Sequence, residues 1–481
     1  MLLSLLENAH LFKPLPTTKT NAAPCLRRGS AAQEAKEMIR IYTISGYEEV
    51  GKNMTAVGYS DGKKEEVVII DVGIRLDRVL IHEDVNIQEF PTKELQRIGA
   101  IPDDSIIRNK RVVAIALTHG HLDHIGAIGK IAPHYPDVPV YGTPYTVKLA
   151  KSEVKSEKYF DVKNPMYETE FGEIVQVSEN LAIEFVRSTH SIPQAAMVVI
   201  HTPDGAVVHT GDFKFDNNNP LGERPDYKRL KELGKEGVKV LIPESTRVGE
   251  PTKTPSEAVA QMLLEDFFLY EGMEADGLIA TTFASHIARL QELIWIANRM
   301  GRQAVFIGRS LAKYTGIAKQ LGLIKMKGSR VLRSPNAIKK VLSEVSQARE
   351  NYLLIVTGHQ GEPGAVLTRM ANGELYDIGK RDTVVFSAGT IPNPLNRAQR
   401  YVLETKLRMK GVRMIKDLHV SGHASREDHR YLIRMLNPES IVPAHGEFRM
   451  LTHYAELAEE EGYLIGKDVF VSRNGYTVEI E

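Results

Sequence analysis

"LTHGHLDHIGAIG", Leu117–Gly129, packs three histidines and one aspartate into the six positions from His119 to His124, then relaxes into glycine and small apolar residues. A hydrophobic core has no use for such a cluster, and a solvated loop no need of it. Imidazole nitrogens and carboxylates together bind divalent transition ions, whereas Mg²⁺ and Ca²⁺ prefer all-oxygen shells. His119 and His121, two apart on a turn, can serve one ion. Asp123 and His124 point differently and can serve a second, and Gly120 and Gly126 are expected to let the backbone turn tightly enough to permit that split.

Working outward, other ligand-type residues fall where short apolar runs stop. "EEVVIIDVG" reads as a buried strand ending at Asp71, and "RVVAIALTHG" as one that runs into the histidine cluster. "LAIEFVRSTHS" alternates with period two and runs out at His190; "GAVVHTGDFKFD" delivers Asp212, and "ESIVPAHGE" stops at His445. Side chains at strand ends along one sheet edge converge, which is how a rigid scaffold builds a site from distant sequence. Adding His190 to the first pair and His445 to the second gives three ligands each, and Asp212 can bridge both ions. Two ions so held lower the pKa of a bridging water and make hydroxide available for attack on a phosphoryl or carbonyl group. The donor set accepts either metal; Zn²⁺ is the expectation and Mn²⁺ the alternative.

Composition bounds the setting. A chain of 481 residues suggests two or three domains. Its 42% hydrophobic and 25% charged content describes a soluble globular protein. One cysteine, Cys25, rules out a disulfide framework within the chain and fits a reducing, cytoplasmic compartment. No run of about 18 apolar residues exists, so no membrane span is expected. Residues 1–37 lack the layout of a secretory signal and read as a loosely ordered extension; globular pattern begins near Met38 with "MIRIYTISG". The 61 basic and 61 acidic residues balance overall, but not locally. Arg309 to Glu350 holds ten Lys/Arg against two Asp/Glu, and Arg381 to Lys416 eight against two, which favours a polyanionic partner.

Between Asp212 and His445 the rhythm changes. "ADGLIATTFAS" reads as a strand and loop, with Ser285 able to cap a helix "HIARLQELIWIANRM" that ends at Gly301. Ile287, Leu290, Ile294 and Ala297 form its buried stripe. "QAVFIGRS", "NYLLIVTGHQGEPG" and "DTVVFSAGTIP" repeat the pattern of strand followed by glycine. This implies a parallel α/β unit over residues 251–416, inserted into a first domain made of residues 38–250 and 417–481.

The His-x-His-x-Asp-His string, with Asp71, His190 and Asp212 in order, resembles the metallo-β-lactamase fold, which implies an α/β architecture: an αββα sandwich with a dinuclear site at one sheet edge. "LIPEST" with Glu244, "HVSGHAS" with His423 and "VPAHGE" with His445 resemble motifs A, B and C of the β-CASP nucleases. "FASHIARLQ" and "TGHQGEP" are similar to the RNase J branch, particularly its short archaeal form. The likeness covers residues 38 to 481. With 36 residues after His445 (481 − 445), the C-terminal domain of bacterial members is not expected.

This resemblance implies His119, His121 and His190 around one ion, Asp123, His124 and His445 around the other, and Asp212 between them. Asp71 would orient a ligand rather than bind metal, and with Asp123, Glu244 and His423 completes the expected catalytic set. Glu244 and His423 would pair near the scissile phosphate, His423 protonating the departing 3′ oxygen and leaving 5′-monophosphate products. Phosphate contacts are expected from Ser285 and His286 at a helix start, from a backbone nest at Gly358, His359, Gln360 and Gly361, and from Ser421 and Ser425 beside His423. His359 stands where the branch has a small residue, and "FSAGTIPNPLNR" lacks the expected serine-rich stretch. Both departures bear on recognition of the 5′ end, not on the metal chemistry. His419 is expected to be a packed histidine.

The function implied is 5′-to-3′ exonucleolytic hydrolysis of single-stranded RNA, with some endonuclease activity, by a homodimer. One alternative is an endonuclease of the cleavage-and-polyadenylation type, whose archaeal forms add N-terminal KH-type domains. Another is a small-molecule hydrolase of the glyoxalase II or lactonase kind, against which the basic insert and Glu244/His423 argue. A third, a non-catalytic RNA-binding subunit, is disfavoured because every ligand position is filled.

Overall fold

Val67 and Ile69 of the strand Glu65–Ile70 point one way and Val68 and Ile70 the other, and all four are buried. A strand apolar on both faces needs a layer on each side. The structure, a computed structural model, describes residues 37–75, 77–78, 90–391 and 393–480. The expected N-terminal extension, Cys25 included, lies outside the described residues except for Glu37, which opens the first strand.

Two sheets form the first part of the molecule. The seven-stranded sheet runs in the order Tyr476–Ile480, Glu37–Ser45, Met54–Asp61, Glu65–Ile70, Arg111–Leu117, Val140–Gly142, Met166–Glu168. The six-stranded sheet runs Ser440–Ile441, Val238–Ile242, Gly205–His209, Ala196–Thr202, Ala182–Arg187, Ile174–Gln176. Between them lies one apolar layer that includes Ile39, Val68, Ile70, Phe185, Val198, Val207 and Ile242. Outside the second sheet, the helices Tyr227–Glu236, Arg426–Leu436 and Phe448–Glu460 cover Met197, Val199 and Val208. Outside the first, Ile128 and Ile131 and the helix Pro144–Ser156 cover Val67, Ile69 and Ile115. Helix, sheet, sheet, helix is the layering the histidine string implied.

The third sheet is parallel throughout its six strands, ordered Ser329–Leu332, Gln303–Ile307, Tyr352–Val356, Gly277–Thr281, Asp382–Phe386, Arg413–Ile415. Helices pack on both of its faces, as parallel strands require. Its inner cluster is continuous with the outer layer of the first sheet, so this lobe shares apolar core with the sandwich. The lobe is also tied by charge. Arg289, 1% exposed, donates to Glu257 Oε1 at 2.7 Å and to the carbonyl oxygens of Ser387 and Leu418 at 2.9 and 3.2 Å. The Glu257 amide in turn donates to Asp216 Oδ2 at 2.7 Å, four residues beyond Asp212.

Two local expectations are corrected. The side chain capping the helix Ile287–Arg299 is His286, which accepts from the Arg289 amide, and Ser285 points elsewhere. Gly120 and Gly126 are not needed for unusual backbone angles, since neither has positive φ. They are needed for space: a Cβ on Gly120 would lie 2.3 Å from Leu149 Cδ1, and one on Gly126 2.4 Å from Ile74 Cγ2.

Glu292, 8% exposed, lies beside Glu265 of the helix Glu257–Asp266. Burial first, and the neighbouring carboxylate second, raise its carboxyl to about 8. The folded state therefore holds a proton that the unfolded state releases near 4.5, and the stability it contributes is lost as pH rises through about 8. Glu292→Gln is expected to raise Tm at about pH 9, by on the order of 1–2 kcal/mol in stability, with the gain vanishing towards about pH 5. Thermal melts at the two pH values check this.

Candidate metal centre

Asp71, Thr118, His190, Asp212, Glu244 and His445 follow the C-terminal ends of neighbouring strands, and the folded sheets bring those ends to one edge. Two sets of donors meet there. His119, His121, His190 and Asp212 form one, and Asp123, His124, Asp212 and His445 the other, with all ligand atoms of each within 4.8 Å of one another. Asp212 belongs to both through different oxygens. Its Oδ2 lies 3.6 Å from His119 Nε2 and 3.6 Å from His190 Nε2, whereas Oδ1 lies 3.3 Å from His124 Nε2 and 3.1 Å from His445 Nδ1.

These atoms fit divalent cations. His121 Nδ1 sits 3.1 Å from both His119 Nε2 and His190 Nε2, close to the separation of about 3.3 Å that a tetrahedral ion imposes on its nitrogens. Asp212 Oδ1 and both ring nitrogens of His445 are buried without a hydrogen-bond partner, although Oδ1 lies 3.1 Å from His445 Nδ1 and His445 Nε2 lies 3.8 Å from Asp123 Oδ2. Burial first, and neighbouring imidazoles second, hold His119 well below its usual pKa and so keep it neutral, as a ligand must be. Burial likewise takes His190 down to about 3. Asp212 stays ionised: burial opposes this, but His445, His124 and His423 hold its carboxyl well below the usual range.

Four of the five rings are also held from behind. Asp71 accepts from the Thr118 amide at 2.8 Å, from the Thr118 hydroxyl at 2.7 Å and from His124 Nδ1 at 2.7 Å. Thr118 Oγ1 receives His119 Nδ1 at 3.0 Å, and the Gly422 carbonyl receives His190 Nδ1 at 2.7 Å. His121 Nε2 meets Ser285 Oγ at 3.0 Å. Asp71 and His445 both adopt left-handed backbone, φ 60° and 49°, which costs an ordinary residue roughly 1–2 kcal/mol each. Thr118, the Gly422 carbonyl and Asn53, whose amide lies 3.1 Å from His124 Nε2, are contributors that the sequence reading missed. Thr118 stands inside the opening string; a carbonyl and a distant asparagine leave no such mark.

Beside the donor sets, Glu244 Oε2 accepts from His423 Nδ1 at 2.8 Å, and Glu244 Oε1 from the Phe213 amide at 3.1 Å. His423 is 28% exposed and 3.9 Å from Asp212 Oδ2. Burial lowers its pKa, but Glu244 and then Asp212 override that and raise it to about 9. Ser421 Oγ accepts from the His423 amide.

The residues expected on the phosphate side divide. Ser425 caps the helix Arg426–Leu436 and is bonded to Thr254, and His286 lies 3.4 Å from Glu257, so both side chains are engaged within the protein. Gly358 and Gly361, with φ 111° and 80°, form a tight turn around His359 and Gln360. The Gln360 side chain holds the backbone at Gly389 and Ile391. His359 packs on Phe283 with ring centroids 4.2 Å apart, its Nε2 without a hydrogen-bond partner, so this turn adjoins the Ser285 segment. His419 packs against Gly389, and burial lowers it to about 3.

The two-sheet sandwich, the parallel insert and the paired donor sets define a hydrolase of the metallo-β-lactamase class with an inserted lobe. Family comparison agrees piece by piece: residues 49–265 match the metallo-beta-lactamase superfamily, 275–403 the Ribonuclease J beta-CASP domain, and 410–472 the Zn-dependent metallo-hydrolase RNA specificity domain. Among relatives, Ribonuclease J of Pyrococcus abyssi is 83% identical over 447 residues, covering 93% of this chain and 98% of that protein. Ribonuclease J of Methanocaldococcus jannaschii is 50% identical, covering 92% and 99%. Ribonuclease J of Synechocystis is 32% identical and covers 92% of this chain and 66% of that one. A crystal structure of a protein of unknown function from Enterococcus faecalis V583 superposes with a TM-score of 0.60 at 16% identity, covering 92% and 100%, a likeness of fold alone. The chain belongs to the ribonuclease J family of hydrolytic ribonucleases. No helix among the described residues is long and apolar enough to cross a membrane.

Asp71→Asn keeps the shape but removes the charge behind His124 and Thr118. It is expected to weaken divalent-ion binding by about 10–100-fold. Titrating chelator-treated protein with Zn²⁺, with circular dichroism as the control for folding, measures this.

Proposed function

We propose that the chain degrades single-stranded RNA from its 5′ end, as a metal-dependent 5′-to-3′ exonuclease with endonucleolytic cleavage as a second activity, in RNA processing or decay. The observation that carries this is the Asp212 carboxylate, shared by two donor sets and flanked by the Glu244–His423 pair, in a chain whose relatives are named Ribonuclease J. In this reading His119, His121 and His190 hold one ion, Asp123, His124 and His445 the other, and Asp212 spans them. Zinc is the proposed metal and manganese the alternative. Bound there, the ions supply Lewis acidity at the phosphoryl oxygens and lower the pKa of water.

The chain's own groups do the rest. His423 is protonated at neutrality, with Nδ1 tied to Glu244, so its Nε2–H is the proton offered to the departing 3′ oxygen. Asp71 fixes the rings that bear the ligand nitrogens. The turn at Gly358–Gly361 with His359 and Gln360, and the hydroxyls of Ser285 and Ser421, face the RNA backbone. His286 and Ser425 support those loops from within. The basic stretches 309–350 and 381–416 track the phosphates with little sequence preference. We assign the sandwich to residues 38–250 and 417–481 and the inserted lobe to 251–416, in a cytoplasmic homodimer.

One RNA, labelled in turn at each end and carrying a 5′-monophosphate or a 5′-triphosphate, tests the direction. Mononucleotides released from the 5′ label are the expected result; discrete internal fragments alone would overturn the exonuclease assignment. His121→Ala is expected to abolish cleavage and leave RNA binding intact, so cleavage that survives it would sink the site. His423→Ala is expected to lower kcat by about 10²–10⁴-fold.

A further inference from the structure

Four of the five histidine rings at the centre have a ring nitrogen secured by another group. For His119, His124 and His190 that group is Thr118, Asp71 or the Gly422 carbonyl, all outside the parallel lobe. His121 differs. Its Nδ1 faces the other donors, 3.1 Å from His119 Nε2 and 3.1 Å from His190 Nε2, and its Nε2 lies 3.0 Å from the hydroxyl of Ser285. Ser285 stands between the strand Gly277–Thr281 and the helix Ile287–Arg299 of the inserted lobe.

We infer that Ser285 is a positioning residue through which the inserted lobe orients His121 and so completes the first ion site. The inference rests on the metal assignment proposed above. A cation at the first donor set needs Nδ1 of His121 bare, which leaves the ring proton on Nε2. That N–H donates to Ser285 Oγ, fixing both tautomer and ring plane. The hydroxyl proton of Ser285 remains free to donate elsewhere.

Ser285 is itself placed by the seating of the lobe. The adjacent His286 and, four residues on, Arg289 are anchored on Glu257, and Arg289 also on the Ser387 and Leu418 carbonyls. Glu257 leads back through Asp216 and Lys214 to Thr189, whose carbonyl accepts from the Lys214 amide at 2.8 Å. Thr189 precedes His190. Bonded contacts therefore run from one ligand of the first ion, through the junction between lobe and sandwich, to another ligand of the same ion. Two equilibria joined in this way favour each other by the same factor. Metal binding at the first set steadies the lobe, and a seated lobe tightens the metal.

The test uses the full chain, freed of metal by chelation and titrated with Zn²⁺ against a chromophoric competitor. Ser285→Ala is expected to weaken one of two equivalents by about 10-fold or more, and Ser285→Thr to restore it. In the unsubstituted protein, Zn²⁺ is expected to slow amide exchange in residues 283–289, and Ser285→Ala to abolish that slowing. Both equivalents bound by Ser285→Ala as tightly as by the parent would overturn the inference, as would exchange in 283–289 indifferent to Zn²⁺. A parent protein that binds no divalent ion would instead overturn the metal assignment itself, and this inference with it.

Discussion

Asp212 is 2% exposed and ionised, and its two oxygens face two different groups of histidines. A carboxylate taken out of water costs several kcal/mol unless cations or donors surround it. Oδ1 has no hydrogen-bond partner, and what holds the carboxylate ionised is the imidazoles around it, His445, His124 and His423. Much else follows from this demand. The sheet edge must deliver six further donors to one place, the rings must present bare nitrogens, and four of the five rings are held from behind by something that takes a ring proton. Asp71, Thr118, Gly422 and Ser285 are those holders.

The same residue links hydrolysis to the group beside it. His423 lies between Glu244, which bonds its Nδ1, and Asp212, 3.9 Å away, and its raised pKa comes from both. Glu244 is fixed in turn by the Phe213 amide, the residue next to Asp212, so the strand end that carries the shared carboxylate also aligns the partner of His423. The Glu244–His423 pair and the shared carboxylate are thus set by one stretch of backbone, and cannot drift apart without disturbing both.

How much of this was legible follows from what each contact is made of. The strands that lead to Asp71, His119, Asp212 and His445 could be found because a buried strand writes its length as an apolar run, and a ligand just beyond its end marks where that run stops. The layers of the sandwich followed from the His-x-His-x-Asp-His string by family resemblance. The pairing of Tyr476–Ile480 with Glu37–Ser45 was not legible, because alternation fixes which face is buried but not which strand lies alongside. Ser285 misled for a different reason: serine before a helix is a good cap, and only the folded lobe shows that His286 takes that place. Gly120 and Gly126 were rightly singled out, but for the wrong reason. The sequence pattern suggests turning, whereas the packing of Leu149 and Ile74 shows that what matters is the missing Cβ.

His359 shows where composition and geometry have to be joined. As a substitution for a small residue, it speaks only of altered 5′-end recognition. In the fold its ring lies on Phe283, two residues before Ser285, with a buried Nε2 that has no partner. An unsatisfied buried nitrogen costs about 1–3 kcal/mol, a cost that a polar group from outside the chain could relieve. Because Ser285 also reaches His121, whatever settles at that turn touches the same short segment that orients the first ion's ligand. The RNA-end recognition and the metal site proposed above would then act on one stretch of chain, Phe283 to His286, rather than on two separate parts of the cleft.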